Sequence, residues 1–308
     1  MSQDGLASKG EPLRIQATAG SRVFEQRRVR AALPGVAFPS PKVVSAGTSK
    51  APLCDLIFHG GKVMPQCEYQ NIYLGSSADW CAADIAAVDY ALRVASRHRS
   101  LDEILGQYFF GTKSVCEPRE SLILSESKPA LMGETDVQSK LLSLYDSGAL
   151  NRANLECTLF NFVMPPKTVL TLEQSSSLDG LGGYHGSVSR LRDGRQITLY
   201  YSASVFSEVF GDGQEHGVCA FAEPWKNVSV TLFHQLCEFR TDPDVSDAVR
   251  HADNSFLGWM SRDGAECADT PIPSPLSSHE FAAVVCQEDQ GIPIHFIYSN
   301  SRHDLCGR

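Results

Sequence analysis

Pro224-Trp225-Lys226-Asn227-Val228-Ser229-Val230-Thr231-Leu232-Phe233-His234-Gln235-Leu236-Cys237-Glu238-Phe239-Arg240-Thr241-Asp242-Pro243 is the stretch on which the reading of this chain turns. Val228, Leu232, Leu236 and Phe239 recur at helical spacing, which predicts a helix over Trp225 to Phe239. Pro224 suits its first turn, where a missing N–H costs nothing. Thr241-Asp242-Pro243 stops it, because the residue before a proline avoids the helical region. At 3.6 residues per turn His234 and Glu238 lie one above the other. An imidazole and a carboxylate at i and i+4 can chelate one divalent ion, or they form a plain surface pair on an amphipathic helix. Asp242 follows two turns after His234, with Asp244 close behind.

Outward from this helix, strands and helices intersperse. Short strands are expected at Asp55 to Phe58 and Tyr69 to Leu74, around the turn-rich His59-Gly60-Gly61 and Met64-Pro65. Ile85, Val88, Ala91, Leu92 and Ala95 mark a helix over Asp84 to Ala95, and further helices are read at Leu101 to Phe110 and Asp136 to Tyr145. Strand-like runs follow at Leu159 to Met164, Val169 to Leu172, Ser187 to Leu191, Ile197 to Val205 and Ile292 to Tyr298. Without a Gly-rich nucleotide turn, this order favours α+β over a doubly wound sheet.

The 308 residues include 43% hydrophobic and 20% charged side chains, enough apolar material for a real core. Residues 1–50 hold eight Lys/Arg against three Asp/Glu, or +5, so the net −9 leaves −14 on the remainder. Residues 1–50 therefore read as a flexible basic arm, and 51–308 as one acidic domain. Arg22, Arg27, Arg28 and Arg30 suit a transit peptide, whereas Asp4, Glu11 and Glu25 suit a solvated tail. The acidic balance argues against a nucleic-acid partner or an anionic membrane surface. No apolar run approaches a membrane span and the start lacks an apolar signal core, so a cytoplasmic location is expected. The ten cysteines are scattered without a CxxC pair, which excludes a zinc ribbon.

Beyond the helix, Gly258-Trp259 leads to Gly264-Ala265-Glu266-Cys267-Ala268-Asp269. Glu266 and Asp269 either complete a metal site as ligand and supporting acid, or are exposed turn acids. His185, in Gly182-Gly183-Tyr184-His185-Gly186, either faces the helix as ligand, transition-state donor or substrate contact, or is satisfied by hydrogen bonds in a turn. Cys237 is a soft ligand or a core residue. The sequon Asn227-Val228-Ser229 lies inside the predicted helix and is discounted.

Several segments, taken in order, resemble a zincin-like family related in pattern to the plant phosphate-induced, EXORDIUM-type proteins. They are His59-Gly60-Gly61-Lys62-Val63, Asn71-Ile72-Tyr73-Leu74-Gly75 with Trp80, Leu101 to Tyr108, Gly182 to Gly186, His234 to Pro243, Gly258-Trp259 and Gly264 to Asp269. The likeness spans roughly residues 55–300. It implies a metallopeptidase-like α+β fold with a central mixed sheet and an active-site helix. It also implies zinc as cofactor, held by His234, Glu238, Glu266 and Asp269, with a peptide or small-molecule ligand in a cleft. One departure stands out: the family has His-Glu where this chain has His234-Gln235. In a zinc hydrolase that glutamate takes the proton from the attacking water, and glutamine cannot. Three functions follow as expectations. The first is a metal-binding protein with a degenerate peptidase motif and weak or no proteolysis. The second is a metal-dependent lyase, cyclase or small-molecule hydrolase in which His185 supplies the proton chemistry. The third is a non-catalytic interaction protein.

Overall fold

A computed structural model describes residues 23–25, 55–150, 154–262, 264–269, 286–302 and 304–306. In chain order the elements begin with β1 (Val23–Glu25), β2 (Ile57–Phe58), β3 (Gln66–Tyr73), α1 (Ala82–Ala95), α2 (Arg99–Gly106), β4 (Val115–Pro118), β5 (Leu122–Ile123) and β6 (Leu131–Met132). They continue with α3 (Glu134–Asp146), β7 (Thr158–Val163), β8 (Val169–Leu172), β9 (Ser175–Ser176), β10 (Leu181–Arg192), β11 (Arg195–Ser204), β12 (Glu208–Val209) and β13 (Glu215–His216). The last are α4 (Pro224–Thr241), α5 (Val245–His251), β14 (Trp259–Met260), β15 (Cys286–Asp289), β16 (Ile292–His295), β17 (Ile297–Ser299) and β18 (Asp304–Cys306).

A mixed sheet runs β1-β10-β11-β7-β3-β4, with β5 also on β3. The β3–β4, β3–β5, β3–β7 and β7–β11 pairs are parallel, whereas β10 pairs antiparallel with both β11 and β1. Strand β7 is buried at every position, as a central strand covered on both faces must be. Leu159 and Val163 join the core formed with α1, α2 and α4, and Phe160 and Phe162 join the core formed with α3. Side chains alternate across a strand, so one six-residue run feeds two cores. The chain is thus a mixed assembly of helices and strands around a mixed sheet.

Most sequence-predicted elements sit within a few residues of their expected places, and three differ. The glycine-rich 182–186 segment is the start of the long strand β10 rather than a turn. Residues 245–251 form α5, too short to show a helical period beside Pro243. Within the segment read as a flexible arm, Val23–Glu25 pair with Leu181–Tyr184 and cover the free edge of β10. The rest of that arm lies outside the described residues.

Helix α4 is not a surface amphipath. From Lys226 to Thr241 every residue is buried, enclosed by the sheet on one side and by α1 and β16 on others. A helix buried all round must satisfy its polar side chains internally. Ser229 and Thr231 donate to the carbonyls of Trp225 and Asn227, one turn back. Arg240 donates to the Pro65 carbonyl (3.2 Å) and the Ser114 hydroxyl (2.7 Å), and its guanidinium lies 5.0 Å over the Phe109 ring. Gly183 is why β10 comes so near: a Cβ there would lie 2.8 Å from Thr231 Cγ2 and 2.6 Å from the Ala203 carbonyl.

Two distant glycine motifs meet at the C-terminal end of α4. Trp259 pairs with Phe58 across β14–β2, and the His59 N–H donates to the Gly258 carbonyl at 2.8 Å. Gly258 N–H donates to Asp242 Oδ1 at 2.9 Å, so the residue that ends α4 also holds this crossing. A Cβ at Gly258 would lie 2.1 Å from the Thr241 carbonyl oxygen and 2.7 Å from that of Lys62. Both neighbours are backbone and cannot swing away. Gly258→Ala should therefore destabilise by about 3 kcal/mol, the upper end of ordinary overpacking costs. Urea unfolding measures it; a loss within about 0.5 kcal/mol would show that the crossing relaxes freely.

No helix among the described residues is long and apolar enough to cross a membrane. Of the described cysteines, Cys67, Cys81, Cys116, Cys157, Cys219, Cys237 and Cys267 are free thiols.

Candidate metal centre

His234, Gln235 and Glu238 project from the middle of α4, where the helical period aligns the first and third. His234 Nε2 lies 2.8 Å from Glu238 Oε1 and 3.5 Å from Asp269 Oδ1. Asp269 is held by its own turn, since the Glu266 N–H donates to Asp269 Oδ2 at 3.1 Å. On the facing strand β10, His185 Nδ1 lies 2.9 Å from Gln235 Oε1 and 3.5 Å from Glu238 Oε2. Its Nε2 is 3.8 Å from Glu266 Oε1. Five of the sequence-predicted residues therefore gather as candidate ligands: His234, Glu238 and Asp269 form one group, and His185, Glu238 and Glu266 form another. Within each group the candidate ligand atoms lie within 4.8 Å of one another.

The hydrogen-bond network assigns the proton on each ring. His295 Nδ1 lies 2.6 Å from the Phe296 carbonyl, which only accepts, so Nδ1 carries the hydrogen and His295 Nε2 is an acceptor. His234 Nδ1, 3.4 Å from that nitrogen, must then be the donor. His234 Nε2 is then the nitrogen that faces the two carboxylates. The same logic applies to His185: its Nδ1–H donates to the amide oxygen of Gln235, and Nε2 faces Glu266 at 3.8 Å. Metal-binding histidines are held in this way, with the remote N–H committed to an acceptor.

Burial sets the energetics. It holds His234 below the usual imidazole range, partly offset by Asp269, and pushes His295 further down, with His234 adding to the effect. The Glu238 carboxyl goes the other way, raised well above its usual range by burial, by Asp269 and by Asp242. Burial raises Asp242 as well. Imidazoles that resist protonation thus face carboxylates that resist ionisation, and a cation between them reconciles both.

Glu238 supplies the decisive test of fit. Both its oxygens are buried and neither accepts a hydrogen bond, though His234 Nε2 stands 2.8 Å from Oε1. Tetrahedral ligands at zinc bond lengths sit about 3.4 Å apart, a spacing that lies between the 2.8 and 3.5 Å separating His234 Nε2 from Glu238 and Asp269. The chemistry of the donors also fits, because imidazole with carboxylate suits zinc and similar divalent ions.

The remaining candidates take structural roles. Cys237 packs in the core beside α1, and burial raises its thiol. Cys267 is equally buried, accepting from the Thr241 hydroxyl at 3.4 Å. Asp244 accepts from Tyr200 (2.8 Å) and lies 3.6 Å from Lys62, away from the cluster. Glu266 is fully buried and Asp269 is 18% exposed, so neither is an exposed turn acid. The residue that sequence reasoning missed is His295. Its only signal is a polar side chain between Ile294 and Phe296 inside an apolar run.

The chain matches no protein-family model, no curated protein and no solved structure.

Proposed function

We propose that this protein is a zincin-like metal-binding protein whose peptidase motif is degenerate, with weak or no proteolysis. The observation that carries this reading is the gathering of His234, Glu238 and Asp269, whose candidate ligand atoms lie within 4.8 Å of one another at the middle of a buried helix. His234, Glu238 and Asp269 would hold the ion, and His295 keeps His234 in the binding tautomer. When bound, such an ion acts as a Lewis acid, polarising a carbonyl or phosphoryl oxygen. Gln235 occupies the position of the general base but accepts no proton at neutral pH. Its amide oxygen serves instead to orient His185.

A second reading, a metal-dependent non-proteolytic enzyme, draws on His185, whose ring sits against Gln235, Glu238 and Glu266 where proton transfer to a ligand would be needed. A peptide or small molecule is the ligand class for either.

Metal analysis of the purified, dialysed full-length protein tests the proposal. At least one equivalent of a divalent transition metal is expected, with His234→Ala holding about one equivalent less than the parent. A parent protein that takes up no metal, and melts identically with and without chelator, would sink it.

A further inference from the structure

The two ligand groups meet at one carboxylate, and we propose that they hold two divalent cations bridged by Glu238. This rests on the metal-binding reading above and extends it from one ion to a pair. Glu238 Oε1 stands 2.8 Å from His234 Nε2, which also faces Asp269, while the second group gathers Glu238 with His185 and with Glu266, the last 3.8 Å from His185 Nε2. Each group thus has its own histidine and its own acid, and Glu238 belongs to both.

A single ion does not fit this arrangement. Two ligands of one ion at bond lengths of about 2.0–2.2 Å stand at most about 4.4 Å apart. Among the described residues, no group of three or more ligand atoms lying within 4.8 Å of one another contains both histidines. The two imidazoles therefore serve different ions. Both are prepared alike: His295 fixes His234 and Gln235 fixes His185, each by accepting the Nδ1 hydrogen.

Centres with ions about 3.5–4 Å apart, bridged by a carboxylate, are built to grip an oxygen-bearing ligand from two sides. This assignment also gives Gln235 a use. With the base gone, its amide is a positioning group for the second ion's histidine.

The test uses the metal-stripped full-length chain. Equilibrium dialysis against Zn2+ should return two equivalents per chain, and Mn2+ loading should give the exchange-coupled electron paramagnetic resonance spectrum of a bridged pair. His185→Ala and Glu266→Gln should each leave one equivalent, and the Mn2+ spectrum should revert to isolated ions. His234→Ala should also leave one, weakened at least tenfold. One equivalent in the parent, lost alike on His185→Ala and His234→Ala, with an uncoupled Mn2+ spectrum, overturns the pair and keeps the single-ion reading. No bound ion in the parent overturns both. The parent's stoichiometry and spectrum decide without any variant, so a variant that fails to fold leaves the answer intact.

Discussion

Glu238→Gln should erase the stabilisation of this protein by divalent metal, while leaving the metal-stripped chain at least as stable as the parent. Opposite effects of one substitution distinguish a ligand from a packing residue. Glu238 is fully buried, and burial together with Asp269 disfavours its charged form when no cation is near. Its stripped-state penalty grows as pH rises through the ordinary carboxylate range, because a carboxyl raised in the fold is costlier to ionise there than in the unfolded chain. Glutamine keeps the shape and removes that penalty. His234 and His295 add a penalty of the other sign, appearing as pH falls through the usual imidazole range toward their depressed values. The stripped parent is thus strained by its own cluster from both sides of neutrality.

Metal relieves both. At a free concentration one hundred times Kd, a single ion adds about 2.7 kcal/mol, which for a chain of this size is roughly 5–11 °C in Tm. Thermal scans of parent and Glu238→Gln, each with chelator and with Zn2+, read the effect directly. A variant that still gains several degrees with Zn2+ would remove Glu238 from the ligand set. One that loses about 2–5 kcal/mol in chelator, as a core truncation would, makes it a packing residue.

The second large effect is expected from Gln235→Glu. Gln235 stands next to His234 on α4, fully buried, with its amide oxygen 2.9 Å from His185 Nδ1. A glutamate there keeps the same oxygen for the same imidazole hydrogen, so His185 stays in its tautomer. What changes is the capacity to take a proton from an attacking water. General acid–base assistance is typically worth about 10²–10⁴-fold, so hydrolysis of a peptide substrate should rise by that factor in the metal-loaded variant. The measurement is kcat/KM on an unstructured peptide, with metal content determined on the same sample. Full metal occupancy without any gain would count against the degenerate-peptidase reading. Loss of an activity that the parent already shows on a small molecule favours the non-proteolytic enzyme instead.

Which parts of this site a reader of the sequence could find depends on how local the determining physics is. The bounds of α4 follow from Pro224, the apolar period of Val228 to Phe239 and the stop at Pro243, all within one element. The stacking of His234 over Glu238 needs only the pitch of a helix. The enclosure of α4 was less legible. Asn227 and Arg240 are polar, and it is the fold that buries them, Asn227 against the backbone of Phe221 and Arg240 against Ser114 and the Phe109 ring. The β-structure of 182–186 was hidden because glycines read as a turn, when Gly183 is instead the gap that lets a helix press on a strand. His295 was hidden because nothing in an apolar strand marks one imidazole as a support for another 61 positions away.

By itself, then, the sequence determined the local chemistry of this protein: a helix with an imidazole over a carboxylate, a glutamine beside that imidazole, and two more acids returning on a later turn. The tertiary structure decided the groupings, setting Asp269 with His234, Glu266 with His185, and Glu238 between them. The reason is physical. Neighbours along a helix are fixed by 1.5 Å of rise per residue, whereas neighbours across the fold are fixed by sheet register and by how closely two backbones can approach. Only the folded chain brings β10 onto α4, and only there do scattered acids and histidines become a site.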